Sequence, residues 1–133
     1  MEKVTLRVEV EVNPTESPEK VRVAVENIFG NVQTVMHQTS GGSRLEAEIE
    51  NVDALTRFCN LLRRERTRAA AKKVFYDGLE GKTISFCLNK QVAFAGHVSF
   101  SKEAGESPLG PIRVRLETEN PRRLIDWLTS MDV

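Results

Sequence analysis

Seven cationic side chains crowd into residues 57–73: Arg57, Arg63, Arg64, Arg66, Arg68, Lys72 and Lys73, with Glu65 the one acid among them. Guanidinium groups fork onto phosphate oxygens, and a row of them can follow a nucleic-acid backbone. At about 100° per residue, Arg57, Arg64, Arg68 and Lys72 fall within an arc of about 80° if one helix carries all four. Lys90, Arg113 and Arg115 are candidate extensions of that phosphate-contacting surface, together with Arg122 and Arg123. The competing reading is a solvated helix face whose arginines pair with the acidic strands of the N-terminal part, at Glu9, Glu11, Glu46 and Glu48. Both readings stand at this level, because a basic run is compatible with either.

Other chemistry is thinner. Gly78-Leu79-Glu80-Gly81-Lys82-Thr83 ends like a phosphate loop, but the first glycine of that pattern falls at Tyr76. The segment also sits where a helix stops and a strand begins, so no helix N-terminus aims its amides at a phosphate. It reads as a helix stop followed by a turn. His37, His97, Cys59 and Cys87 are the only imidazoles and thiols, and none stand at metal-ligand spacing. Cys59 lies on a helix apolar face and Cys87 inside a strand, so both read as small buried hydrophobes, and an enzyme built on a thiol and a histidine is a remote third reading. No paired carboxylates stand out for acid–base work, and no cofactor is expected. Phe86, Phe94, Phe100 and Trp127 each fall on an apolar face and read as core. With no aromatic signature of an RRM and no Gly-x-x-Gly loop of a KH domain, no stacking platform is visible, and recognition would run through backbone and shape.

The elements that must carry these residues are legible from periodicity. Val4, Leu6, Val8, Val10 and Val12 alternate with polar residues, which predicts a half-buried antiparallel strand. Ser17-Pro18-Glu19 opens a helix to Phe29, and Gly30 stops it. Residues 32–38 and 44–50 read as strands joined by a flexible loop. Asp53 caps a helical region whose apolar stripe changes phase near residues 64–67, giving two consecutive helices or one bent helix. Residues 83–88 and 91–100 read as a hairpin with Asn89-Lys90 at its tip. A polar loop at 101–111, a strand at 112–117 and a helix opened by Asn120-Pro121 complete the order β-α-β-β-α-α-β-β-β-α. Strands come in hairpin pairs rather than in regular βα alternation. The expected fold class is therefore α+β, a two-layer sandwich of a mostly antiparallel sheet with helices on one face.

The chain of 133 residues has the size of a single domain, and no linker divides it. Its 19 basic and 19 acidic residues cancel, but not locally. Residues 1–56 hold five basic and ten acidic residues, residues 57–91 nine and three, and residues 92–133 five and six. No apolar run approaches the length of a membrane span, the start lacks a signal-peptide pattern, and two cysteines suit a reducing compartment. A cytoplasmic location without membrane association is expected.

Leu88-Asn89-Lys90-Gln91 with Ala93 and Gly96, then Pro108-Leu109-Gly110-Pro111-Ile112, then Ile125-Asp126-Trp127-Leu128, resemble segments of an archaeal uncharacterised protein family. Its members are small proteins often described as predicted RNA-binding proteins or predicted exosome subunits. The opening strand followed by Asn13-Pro14-Thr15-Glu16 and a helix fits as well, so the resemblance spans nearly the whole chain. It implies a fold resembling large-ribosomal-subunit protein five and implies no catalytic residues. The resulting expectation is a non-catalytic RNA-binding module. Its alternative is a protein–protein module, such as a homodimer through a sheet edge or through the Pro-Leu-Gly-Pro loop.

Overall fold

In β1 (Val4–Val12) every second side chain, from Val4 to Val12, is buried, and Arg7, Glu9 and Glu11 point the other way. The same alternation governs β3 (Gly42–Ile49), β5 (Thr83–Leu88) and β7 (Ile112–Thr118). Leu45, Ile84, Phe86, Leu88, Ile112, Val114 and Leu116 therefore join one apolar sheet face. The structure, a computed structural model, describes residues 3–50, 52–101 and 110–130. With β2 (Val35–Thr39), β4 (Leu79–Glu80) and β6 (Phe100–Ser101), the strands form one sheet in the order β2-β3-β1-β7-β5-β4, with β6 also on β5. Every pairing in it is antiparallel.

The helices cover the apolar face. Helix α1 (Pro18–Phe29) starts where Ser17 accepts the amide of Lys20, and it buries Val21, Ala24, Val25, Ile28 and Phe29. Helix α2 (Val52–Arg64) buries Leu55, Phe58, Cys59, Leu61 and Leu62, and α3 (Arg68–Asp77) buries Ala71 and Phe75. At the centre Phe58 meets Phe29, Phe75 and Phe86 at centroid separations of 5.4, 6.2 and 5.7 Å. Helix α5 (Pro121–Leu128) closes the layer with Leu124, Ile125 and Leu128. The α+β sandwich and the element order are those expected from the sequence, with the short β4 and one short helix added.

That helix is a correction. Residues 91–100 do not form a strand paired through a tip at Asn89-Lys90. Asn89 accepts the amide of Val92 at 2.9 Å and so caps helix α4 (Lys90–Phe94). The strand resumes only at β6. The Asn side chain satisfies a cap as readily as a turn, and local sequence does not distinguish the two. The loop between β2 and β3 is also tighter than expected: Thr39 pairs with Gly42, which leaves Ser40-Gly41 as a two-residue connection. The segment of the polar loop at residues 102–109, with Pro108 and Leu109, lies outside the described residues.

Candidate nucleic-acid interface

The basic segment lies on the helical side of the molecule, and its two helices meet at a sharp corner. Leu62 accepts the amide of Thr67 and Arg63 accepts the amide of Arg66, the paired bonds of a Schellman helix end. The residue in the left-handed conformation there is Arg66, at φ 58°, the only non-glycine with positive φ among the described residues. The single continuous arc of Arg57, Arg64, Arg68 and Lys72 is therefore not formed. Arg57 and Arg64 remain two turns apart on α2, on the side of α1 and α4. The Arg57 stem passes Gly30 at the end of α1, and the Arg64 guanidinium donates to the Gly96 carbonyl at 3.3 Å. Arg68 turns toward α5 instead and donates to the Ser130 carbonyl at 2.6 Å. Lys72 stands exposed on α3.

What the break does not do is neutralise the charge. Lys73 pairs with Asp77 at 3.2 Å, but Arg57, Arg63, Arg64, Arg66, Arg68 and Lys72 have no carboxylate within ion-pair distance among the described residues. Glu65, the acid in their midst, accepts from the His97 ring and the Val98 amide. Arg122 and Arg123 extend this side along α5, with the Arg122 guanidinium 5.6 Å from the centre of the Tyr76 ring.

The glutamates that could have quenched the strip lie on the opposite face of the sheet, which no helix among the described residues covers. There Arg44 bridges Glu9, Glu11 and Glu46 at 3.8, 3.3 and 3.5 Å, and His37 meets Glu46 at 3.2 Å. Arg7 pairs with Glu48 and Glu117. The face forms a shallow trough of about 1590 Å³. Arg113 and Arg115 belong to this trough, because they alternate with the buried Val114. Arg113 is 4.0 Å from Glu9, whereas Arg115 has no carboxylate partner among the described residues. These two cannot share one ligand surface with the α2–α3 cations, since the sheet separates them.

Lys90 leaves the candidate surface altogether. It is not at an exposed tip but 4% exposed, its Nζ 2.8 Å from the Glu11 carbonyl and 3.0 Å from Glu16 Oε1. Burial pushes the Glu16 carboxyl up, but the Asn13 amide, the Lys90 hydrogen bond and the Asn13 side chain outweigh it and hold Glu16 below its ordinary value. The aromatic reading is corrected in one place as well. Phe86 is buried and Phe100 and Trp127 pack on the core, but Phe94 is 45% exposed. Its position at the last residue of the unforeseen α4 explains why strand periodicity misplaced it.

The remaining motifs behave as structural parts. Gly78 ends α3 and Lys82 pairs with Glu119 at 2.6 Å, so the Gly-Lys-Thr segment is a helix stop and hairpin. Burial pushes the Cys59 thiol up, against the pull of Arg63 and Arg68, and the thiol faces the carbonyls of Trp127 and Leu128. No helix among the described residues is long and apolar enough to cross a membrane.

Fold and charge thus define a two-layer α+β protein with one salt-bridged face and one cationic, helical face. Residues 5–118 match the family model described as RNA binding. A UPF0201 protein of Sulfurisphaera tokodaii is 43% identical over 123 residues, which is 92% of this chain and 84% of that protein. Another, from Pyrobaculum aerophilum, is 41% identical over 126 residues, 92% of this chain and 88% of that one. The crystal structure of a UPF0201 protein from Methanococcus jannaschii superposes with a TM-score of 0.85 at 26% identity, over 94% of this chain and 98% of that one. The chain belongs to the family that this RNA-binding model and these UPF0201 proteins represent.

Proposed function

We propose that the protein is a non-catalytic RNA-binding module that grips phosphates with the corner between α2 and α3. The observation that carries this reading is the set of six cations there with no carboxylate partner among the described residues. Exposed positive charge of this density releases condensed counterions from a phosphate backbone, and that release supplies sequence-independent affinity. Arg66 adds to the argument. The left-handed position at a helix end favours glycine, and an L side chain there costs about 1 kcal/mol. An exposed arginine in that place is accounted for by what its guanidinium does outside the protein. Arg57 and Arg64 lie toward α1 and α4, and Arg68, Lys72, Arg122 and Arg123 lie on α3 and α5, all on the helical side of the sheet. Arg113 and Arg115 belong to the face that also carries Glu9, Glu11, Glu46, Glu48 and Glu117, and those carboxylates disfavour phosphate there. An amide-resolved NMR titration with a structured RNA tests the reading. Shifts confined to residues 57–73 and their neighbours on α5 and α4 are expected, and shifts confined to β1, β3 and β7 overturn it.

One observation favours the second reading, self-association. At the sheet edge, β2 has a neighbour only in β3 among the described residues, and it exposes Val35 by 54% and Met36 by 41%. An open edge of this kind can pair with the same edge of a second copy. Light scattering on wild type and Met36→Lys decides it: a dimer that the substitution dissociates supports the reading, and a monomeric wild type removes it.

A further inference from the structure

Phe94 is the aromatic ring that the core does not claim. Its backbone is nonetheless held from several directions. Asn27 of α1 donates to the carbonyls of Ala93 and Phe94, both at 3.0 Å. Asn89 caps the helix, Ala93 is buried beneath it, and Lys90 is tied inward to Glu11 and Glu16. The ring therefore projects, 45% exposed, from a short helix that cannot readily move. A ring presented rigidly to solvent loses little entropy when a flat partner settles on it.

Unpaired cations lie on the same side of the molecule as that ring. The Lys20 ammonium lies 5.9 Å from the ring centre. Arg64 is anchored on the Gly96 carbonyl, two residues along the chain from Phe94. Arg57 runs beside Gly30, three residues beyond Asn27 on α1. None of these cations has a carboxylate partner among the described residues, and the nearby acids Glu16 and Glu65 are engaged by Lys90 and His97. An exposed ring among unpaired cations is the combination that holds single-stranded nucleic acid, with a base on the ring and phosphates on the cations.

We propose that Phe94 is a stacking platform for an unpaired base, and that Lys20, Arg57 and Arg64 take the phosphates of the same single strand. This rests on the RNA-binding reading above and adds to it: the ligand contains an unpaired nucleotide next to whatever backbone lies along the α2–α3 corner. The internal bases of a duplex, stacked on both faces, cannot use the ring, so a duplex offers it only its two ends.

The test is fluorescence anisotropy with a short oligouridylate and with a long RNA duplex, in which end stacking is a negligible share of the sites, on wild type, Phe94→Ala, Phe94→Trp and Arg66→Glu/Lys72→Glu. Phe94→Ala weakens the oligouridylate by roughly five- to a hundredfold, the effect of losing one stacked base, and leaves the duplex unchanged. Phe94→Trp restores or improves the single-strand affinity. The ring is 45% exposed and so partly packed, and a modest fall in the melting temperature of Phe94→Ala is expected; its unchanged duplex affinity shows that the variant is folded under the assay conditions. If Phe94→Ala binds the oligouridylate as wild type does while Arg66→Glu/Lys72→Glu weakens it, the platform is wrong and RNA binding stands. Equal losses on single strand and duplex also overturn the platform. Absence of RNA binding by wild type overturns both.

Discussion

The ammonium of Lys90 sits between the Glu11 carbonyl and the Glu16 carboxylate, where neither bulk water nor a nucleic acid reaches it. A buried pair of this kind is costly to break from one side, because the remaining charge is stranded. Lys90→Met strands Glu16 and is expected to lower stability by about 3–5 kcal/mol in urea denaturation, with RNA affinity of the folded fraction unchanged. The pH dependence has a definite sign. Glu16 is held below its ordinary value of 4.5, so folding favours the ionised form. Its contribution is complete above about pH 4.5 and is lost as the pH falls through the lower folded value. Wild type therefore loses more stability on acidification below that value than Glu16→Gln, and the two unfolding midpoints converge in acid. A gap that widens in acid contradicts the assignment.

Two junctions decide how the elements present these residues. At the end of α2, Arg66 occupies a left-handed position that glycine fills at no steric cost. Arg66→Gly is expected to keep or raise the melting temperature while weakening RNA at low salt, which separates backbone strain from charge in one variant. At the end of α3, Gly78 faces β5 so closely that an added Cβ would stand 1.9 Å from the Ser85 carbonyl oxygen. Gly78→Ala forces the helix away from the sheet and is expected to cost about 1–3 kcal/mol, a fall of several degrees in a thermal scan. A melting temperature equal to that of wild type contradicts that packing. These junctions also mark how far the sequence was legible. Strands β1 and β7 and helices α1 and α5 follow from alternation and capping residues, because each buries a single face. The break at residues 64–67 was visible as a change of phase in the apolar stripe. Helix α4 was not, since an asparagine cap and an asparagine turn look alike and five residues hold too little periodicity. That missed helix is what hid both the inward turn of Lys90 and the outward turn of Phe94.

At the scale of the molecule, a chain of zero formal net charge divides its charges between two sides of one sheet. The sheet face away from the helices is a lattice of Arg–Glu pairs, whereas the α2–α3 corner holds cations with no carboxylate partner among the described residues. Which side each charge takes follows from strand alternation and was legible. Whether the glutamates quench the helical arginines was not, because that depends on the sheet standing between them. The central claim is that this corner binds RNA through its phosphates, and it is tested most directly by RNA affinity across a salt series for wild type and Arg66→Glu/Lys72→Glu. About four phosphate contacts predict that log affinity falls with log salt at a slope of roughly −3 to −4, and that the double variant flattens the slope by about two. A variant indistinguishable from wild type, or a wild-type Kd no tighter than about 100 μM at low salt, contradicts it.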